Sequence, residues 1–166
     1  KNNLNVDMDL SVPSGLTLSD FKTVLSNNLS DKNKIFEQSA EYFYKAEQKY
    51  KVNGIFLASI GIHESAWGTS KIANDKNNLF GFTAYDSDPY NSATSFDNYE
   101  NAINKVAEVL STKYLHVAGT KISDELTATG TYFNGTSAKS VNVRYASDTG
   151  WADKVFNYMQ YLYNKL

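Results

Sequence analysis

The chain contains no cysteine, so disulfide staples and thiolate metal ligands are excluded and the core alone must hold the fold. Histidine is nearly absent: His63 and His116 are the only two. His63-Glu64 begins like the H-E-x-x-H helix of zinc peptidases, but Trp67 stands where the second histidine would be. No metal and no cofactor are therefore expected. Excess positive charge is also lacking: 16 Lys and Arg face 18 Asp and Glu for a net charge of −2, which argues against nucleic acid as a partner. No apolar run approaches the length of a membrane span, so no membrane partner is expected. There is no glycine-rich phosphate loop and no Gly-x-Ser-x-Gly nucleophile elbow. Signal peptide and initiator Met are missing as well, and from Lys1 onward the chain reads as a piece of a longer protein.

What is abundant is aromatic. Twelve Tyr, nine Phe and two Trp make 14% of the 166 residues, and side chains with an apolar face and a polar tip suit stacking on sugar rings as well as core filling. Hydrophobic residues at 42% and charged residues at 20% fit one globular domain with a proper core.

Residues 1–18 are polar, contain the turn signal Pro13-Ser14-Gly15 and read as an extended lead-in to a single domain over 19–166. Ser19-Asp20 caps a short predicted helix carrying Phe21, Val24 and Leu25. Ser30-Asp31 caps a longer one, with Phe36, Ala40, Phe43, Tyr44 and Glu47 at helical spacing. Residues 79–85 and 93–96, joined by an Asp- and Ser-rich segment, read as a small hairpin or long loop. Asp97 and Glu100 form a capping-box variant for a helix whose core stripe is Ile103, Val106, Ala107, Leu110 and Tyr114. Ser123 precedes a predicted short helix with Leu126 on its buried side. Asp148 or Thr149 caps the last helix, lined by Trp151, Val155, Tyr158, Met159 and Leu162. The class is α+β, mainly α.

The most informative segment is a nearly all-apolar helix, Ile55 to Ile62, that runs into His63-Glu64-Ser65-Ala66-Trp67-Gly68. Glu64 falls four residues after Ile60 and eight after Phe56, on the stripe that should face the interior. A carboxyl group there loses hydration, keeps its proton to higher pH and can serve as a general acid. Gly68 offers a helix stop.

Glu64-Ser65-Ala66-Trp67-Gly68-Thr69-Ser70-Lys71-Ile72-Ala73, followed by Asn77-Asn78-Leu79-Phe80-Gly81-Phe82, closely resembles the signature of bacterial glucosaminidases of glycoside hydrolase family 73. Arg144-Tyr145-Ala146-Ser147-Asp148 is similar to that family's Tyr-Ala-Thr-Asp segment. The resemblance runs from about residue 50 to the end and is loose between the two blocks. It implies a lysozyme-like fold, with a helical lobe and a small β-hairpin lobe flanking a cleft. It also implies an endo-β-N-acetylglucosaminidase that cuts the β-1,4 bond after N-acetylglucosamine in peptidoglycan glycan strands, secreted to the cell wall of a Gram-positive bacterium and monomeric as this fragment. The rival readings are a muramidase or lytic transglycosylase on the same fold and a wall-binding module without catalysis.

For such a reaction Glu64 is the expected proton donor. The second group is open: Asp75, which the resemblance puts beside the cleft, or a hairpin acid such as Asp86 or Asp88, while Asp97 and Glu100 fit helix caps better. A scheme with one carboxyl is also available, because the 2-acetamido group of the sugar can act as internal nucleophile, with Tyr145 orienting it. Trp67, Asn78, Phe80, Tyr85 and Trp151 are the candidate substrate contacts, though Phe80 also fits a core position and Asn78 a loop-fixing one.

Overall fold

The computed structural model describes residues 4–166. Its elements in chain order are α1 (Leu18–Leu25), α2 (Ile35–Gln38), α3 (Ala40–Tyr50), α4 (Gly54–Ser65), α5 (Lys71–Lys76), α6 (Pro89–Ser92) and α7 (Tyr99–Val109), which runs on as a π-helix over Leu110–Leu115. Strands β1 (Lys121–Ser123) and β2 (Leu126–Thr127) follow, then α8 (Ala138–Tyr145) and α9 (Trp151–Tyr163). The fold is mainly helical with one small antiparallel sheet.

Helix α4 is the axis of the molecule. Every residue from Gly54 to Ile62 is buried, and α3 and α9 pack against it. Asn53 starts it by accepting the Ile55 and Phe56 N–H groups, each at 2.9 Å. Gly54 is required by crowding: a Cβ there would lie 2.8 Å from the Phe21 ring and 2.9 Å from the Phe43 carbonyl oxygen. One fully buried side-chain polar atom in this helix has no partner among the described residues, the hydroxyl of Ser59. Ser59→Ala removes an unpaired hydroxyl and inserts a better helix former. The variant should be more stable by up to about 1 kcal/mol in denaturant unfolding; a clear loss of stability would mean that the hydroxyl has a partner after all.

Helix α4 ends at Ser65, three residues before the expected glycine. Ala66 and Trp67 both adopt left-handed dihedrals, φ 50° and 61°, ahead of Gly68 at 74°. Two non-glycine residues in that region cost of order 1–3 kcal/mol each. Ser65 holds the turn, donating its hydroxyl to Gly61 O at 2.6 Å and accepting the Gly68 N–H at 2.8 Å.

Several local expectations shift. Thr17, not Ser19, caps α1, in a capping box with Asp20. Asp31 caps from outside, its carboxylate accepting the N–H groups of Ile35, Phe36 and Glu37, and the long helix expected there breaks at Ser39 into α2 and α3. Asn98 takes the cap assigned to Asp97. No strand forms between 79 and 96; the segment is a loop interrupted by α6. The β element lies instead where a short helix was expected. Lys121-Ile122-Ser123 alternates exposed, buried, exposed and pairs back on Leu126-Thr127. Ahead of α1, Leu10 is buried and exchanges backbone hydrogen bonds with Thr136 and Asn53.

Candidate active site

A cleft of about 540 Å³ opens at the C-terminal end of α4. His63 and Glu64 form its base, the loop from Phe80 to Asp86 one wall, and Tyr145 to Asp148 with Trp151 the other, while Val109 and Tyr114 add to the lining.

Glu64 does not point into the core. Because α4 is buried around its whole circumference, the apolar stripe does not single out one inward face, and the last turn emerges into the cleft with Glu64 exposed there. The carboxyl is nonetheless hemmed in by protein. Burial raises its pKa above the ordinary glutamate value, with the Trp151 hydrogen bond and the neighbouring His63 pulling the other way. Trp151 Nε1–H donates to Glu64 Oε2 at 3.0 Å. This indole is itself buried, edge-on to Phe56 at 6.2 Å. It fixes the carboxyl and offers no open face for a sugar.

Tyr145 lines the cleft between two rings, Tyr114 at 5.4 Å and Trp151 at 5.0 Å. Burial, with Glu64 and Tyr114 adding to it, pushes its hydroxyl pKa far above the usual tyrosine range, so it stays protonated. That hydroxyl makes no hydrogen bond among the described residues, which leaves it available to a ligand. Phe80, at the start of the loop wall, is a buried core residue at 4% exposure, whereas Tyr85 in the same wall is 65% exposed.

Three of the expected residues are not brought to the cleft. Asp75 lies on the outer side of α5, where its Oδ2 pairs with Lys71 Nζ at 2.7 Å and accepts the Tyr90 hydroxyl at 2.9 Å. These partners hold its pKa below the ordinary aspartate value, the reverse of what a proton carrier needs near neutral pH. Asp75→Asn should therefore leave turnover within a few-fold of wild type. A loss of 100-fold or more in turnover would return Asp75 to the chemistry. Trp67 is turned by the left-handed dihedrals of residues 66 and 67 and packs among Phe36, Tyr158 and Tyr161. Asn78 is buried and builds the loop: its amide donates to Phe82 O and Thr94 O, and its Oδ1 accepts from Phe80 N and Phe82 N. It shapes a wall without facing the cleft.

Two further carboxyls line the cleft. Asp148 is committed to Lys154 Nζ at 2.7 Å and Gly150 N at 2.9 Å, and these bonds hold its pKa low. Asp86, one of the acids suspected in the 79–96 segment, has no side-chain partner among the described residues; Asp88, by contrast, bonds Asn91 beside α6. Tyr114, assigned from the sequence to a core stripe, lines the cleft because the π-helix carries it off the α-helical register. No signal in the sequence marks that change of winding. Among the described residues no cluster of three or more His, Asp or Glu is placed to hold a metal ion.

A helical body with a small β element, and a cleft whose carboxyl stands at the end of a buried helix, define the lysozyme-like class of folds. Residues 40–164 match the glucosaminidase family, described as mannosyl-glycoprotein endo-beta-N-acetylglucosaminidase, and the chain belongs to that family. A Streptococcus pneumoniae TIGR4 protein, provisionally named an endo-beta-N-acetylglucosaminidase, is 36% identical over 138 residues, covering 83% of this chain and 19% of that protein. A Bacillus subtilis beta-N-acetylglucosaminidase is 29% identical over 140 residues, covering 76% and 15%. The chain thus spans about a fifth or less of the length of these relatives. Among solved structures, Staphylococcus aureus autolysin E in complex with the muropeptide NAM-L-Ala-D-iGlu superposes with TM-score 0.62 at 23% identity, covering 96% of this chain and 72% of that one. A catalytic glutamate-to-alanine mutant of autolysin E, in complex with the disaccharide NAG-NAM, gives TM-score 0.64 at 23% identity, with the same coverage of 96% and 72%. S. aureus glucosaminidase B gives 0.60 at 21%, covering 95% and 64%.

Proposed function

We propose that this domain is an endo-β-N-acetylglucosaminidase of bacterial cell walls, hydrolysing the β-1,4 bond after N-acetylglucosamine in peptidoglycan. The observation that carries the reading is Glu64: a partly desolvated carboxyl in an open cleft, held by one indole N–H. Family membership and the autolysin E complexes with wall fragments support the substrate class. Residues 19–166 are read as the catalytic unit, acting as a monomer outside the cell. No described helix is long and apolar enough to cross a membrane.

In this reading Glu64 donates its proton to the glycosidic oxygen as the bond to C1 breaks. The acetamido carbonyl oxygen of the same sugar closes on C1, while Tyr145 Oη accepts the acetamide N–H and holds the group in line. Water then opens the ring so formed, giving its proton to the Glu64 carboxylate and restoring the acid. The cleft also contains a free second acid. Asp86 as a base that activates water is the alternative, and its lack of an ion-pair partner among the described residues favours it over Asp148, which pairs with Lys154. Tyr145→Phe is the damaging change in the first scheme and Asp86→Asn in the second.

The test is digestion of purified peptidoglycan followed by mass spectrometry of the products. A new reducing N-acetylglucosamine end is expected. A reducing N-acetylmuramic acid end or an anhydro end would make the domain a muramidase or a lytic transglycosylase, and no release at all would make it a binding module.

A further inference from the structure

The π-helix serves to dock a loop. Carbonyls in its last turn have no partner within the helix, and the segment 129–132 takes them up. Thr112 O accepts both Thr129 N–H and Gly130 N–H at 2.9 Å, and Lys113 O accepts Tyr132 N–H at 2.7 Å. Gly130, at φ 62°, lies so close to the chain that a Cβ there would sit 2.5 Å from Ala118 N. The loop is therefore fixed in place by backbone contacts.

What it holds is a ring. Tyr132 stands 5.2 Å from Tyr114 with 37° between planes. Tyr114 is also 5.4 Å from Tyr145, which is 5.0 Å from Trp151, the residue bonded to Glu64. Four aromatic rings thus run in contact from the carboxyl outward. The inner members are buried or half-buried, whereas Tyr132 is 39% exposed and its neighbour Phe133 36%. An aromatic series that is sealed at its catalytic end and open at its outer end, on a backbone-fixed support, is preorganised for a ligand that continues out of the cleft.

We propose that Tyr132, backed by Tyr114, is a sugar-stacking subsite outside the Glu64 cleft, taking a further pyranose ring of the same glycan strand against its exposed face. The proposal rests on the glycan reading of the cleft. It adds that the enzyme holds a strand beyond the residues being cut and favours long strands over short ones.

The experiment uses Glu64→Gln protein, which binds without turnover, and chitooligosaccharides from the disaccharide to the hexasaccharide in isothermal titration. Adding Tyr132→Ala should weaken the hexasaccharide about tenfold and leave the disaccharide unchanged. Tyr132→Phe should restore the parent affinity, and Tyr132→Leu, which keeps apolar bulk against Tyr114 but has no ring face, should not. Parent-like affinity of Tyr132→Ala at every length would overturn the subsite alone. An equal loss on disaccharide and hexasaccharide would do the same, making Tyr132 a support of the inner cleft. No binding of any oligomer by the parent would sink the glycan reading, and the subsite with it.

Discussion

Glu64→Gln should fold as the wild type does and lose wall-digesting activity by roughly 10²–10⁴-fold or more. The amide keeps the size of the side chain and can still meet the Trp151 indole through its carbonyl oxygen, but it has no proton to give. Circular dichroism and melting temperature should therefore match wild type while turnover collapses. The pH dependence follows from the raised pKa of Glu64. In the wild type the acid form persists above the ordinary glutamate range and activity falls as pH rises through the raised value. Residual activity in the glutamine variant should lack that alkaline limb. Wall clearance near the wild-type rate would remove Glu64 from the acid's role.

Glu47→Ala should be the most destabilising single change named here, by about 3–5 kcal/mol. For a domain of this size that is roughly 10 °C in melting temperature. Glu47 is fully buried, and its Oε1 accepts Ser14 N–H at 2.7 Å and Gly54 N–H at 2.8 Å, which joins the lead-in to the first turn of α4. Truncation leaves both donors without an acceptor. No cation among the described residues pairs with the carboxylate, and desolvation raises its pKa against the opposing pull of these N–H bonds. The sign of the pH effect follows. A carboxyl whose folded pKa exceeds its unfolded value contributes most below the unfolded pKa, about 4.3, and that contribution is lost as pH rises through the folded value. Glu47→Gln retains an acceptor oxygen for both N–H groups and cannot ionise. It should therefore gain on the wild type as pH rises from 4 to 7, and thermal melts across that range check it. A flat difference between the two would mean that Glu47 is not desolvated in solution.

The parts of the site legible in the sequence are those that lie close together along the chain. Ile55 to Glu64 reads as a buried helix ending in a carboxyl because apolar content and a terminal acid are local properties, and Asn53-Gly54 marks its start for the same reason. The blocks around Glu64 and Tyr145 carry the family resemblance, which the match over residues 40–164 bears out. The absence of cysteine and of a second histidine near His63 limits the chemistry with no structure at all.

Other features depend on contacts the sequence does not encode locally. Asp75 has the same acidic group as Asp86, and only the course of the chain after Ser65 sets the first against Lys71 and Tyr90 outside and the second in the cleft. Trp151 meets Glu64 across 87 residues, a pairing that follows from α9 packing on α4. Tyr114 fits a core stripe at 3.6 residues per turn and enters the cleft because the last turns unwind into a π-helix, whose free carbonyls are satisfied by a loop from residues 129–132. The sequence by itself determined the helical class and the family, and it singled out Glu64 as a candidate, since composition, periodicity and short motifs are properties of neighbouring residues. Which acid, which tyrosine and which indole share one cleft was decided by tertiary packing, because desolvation and hydrogen bonding act through space between groups far apart in the chain.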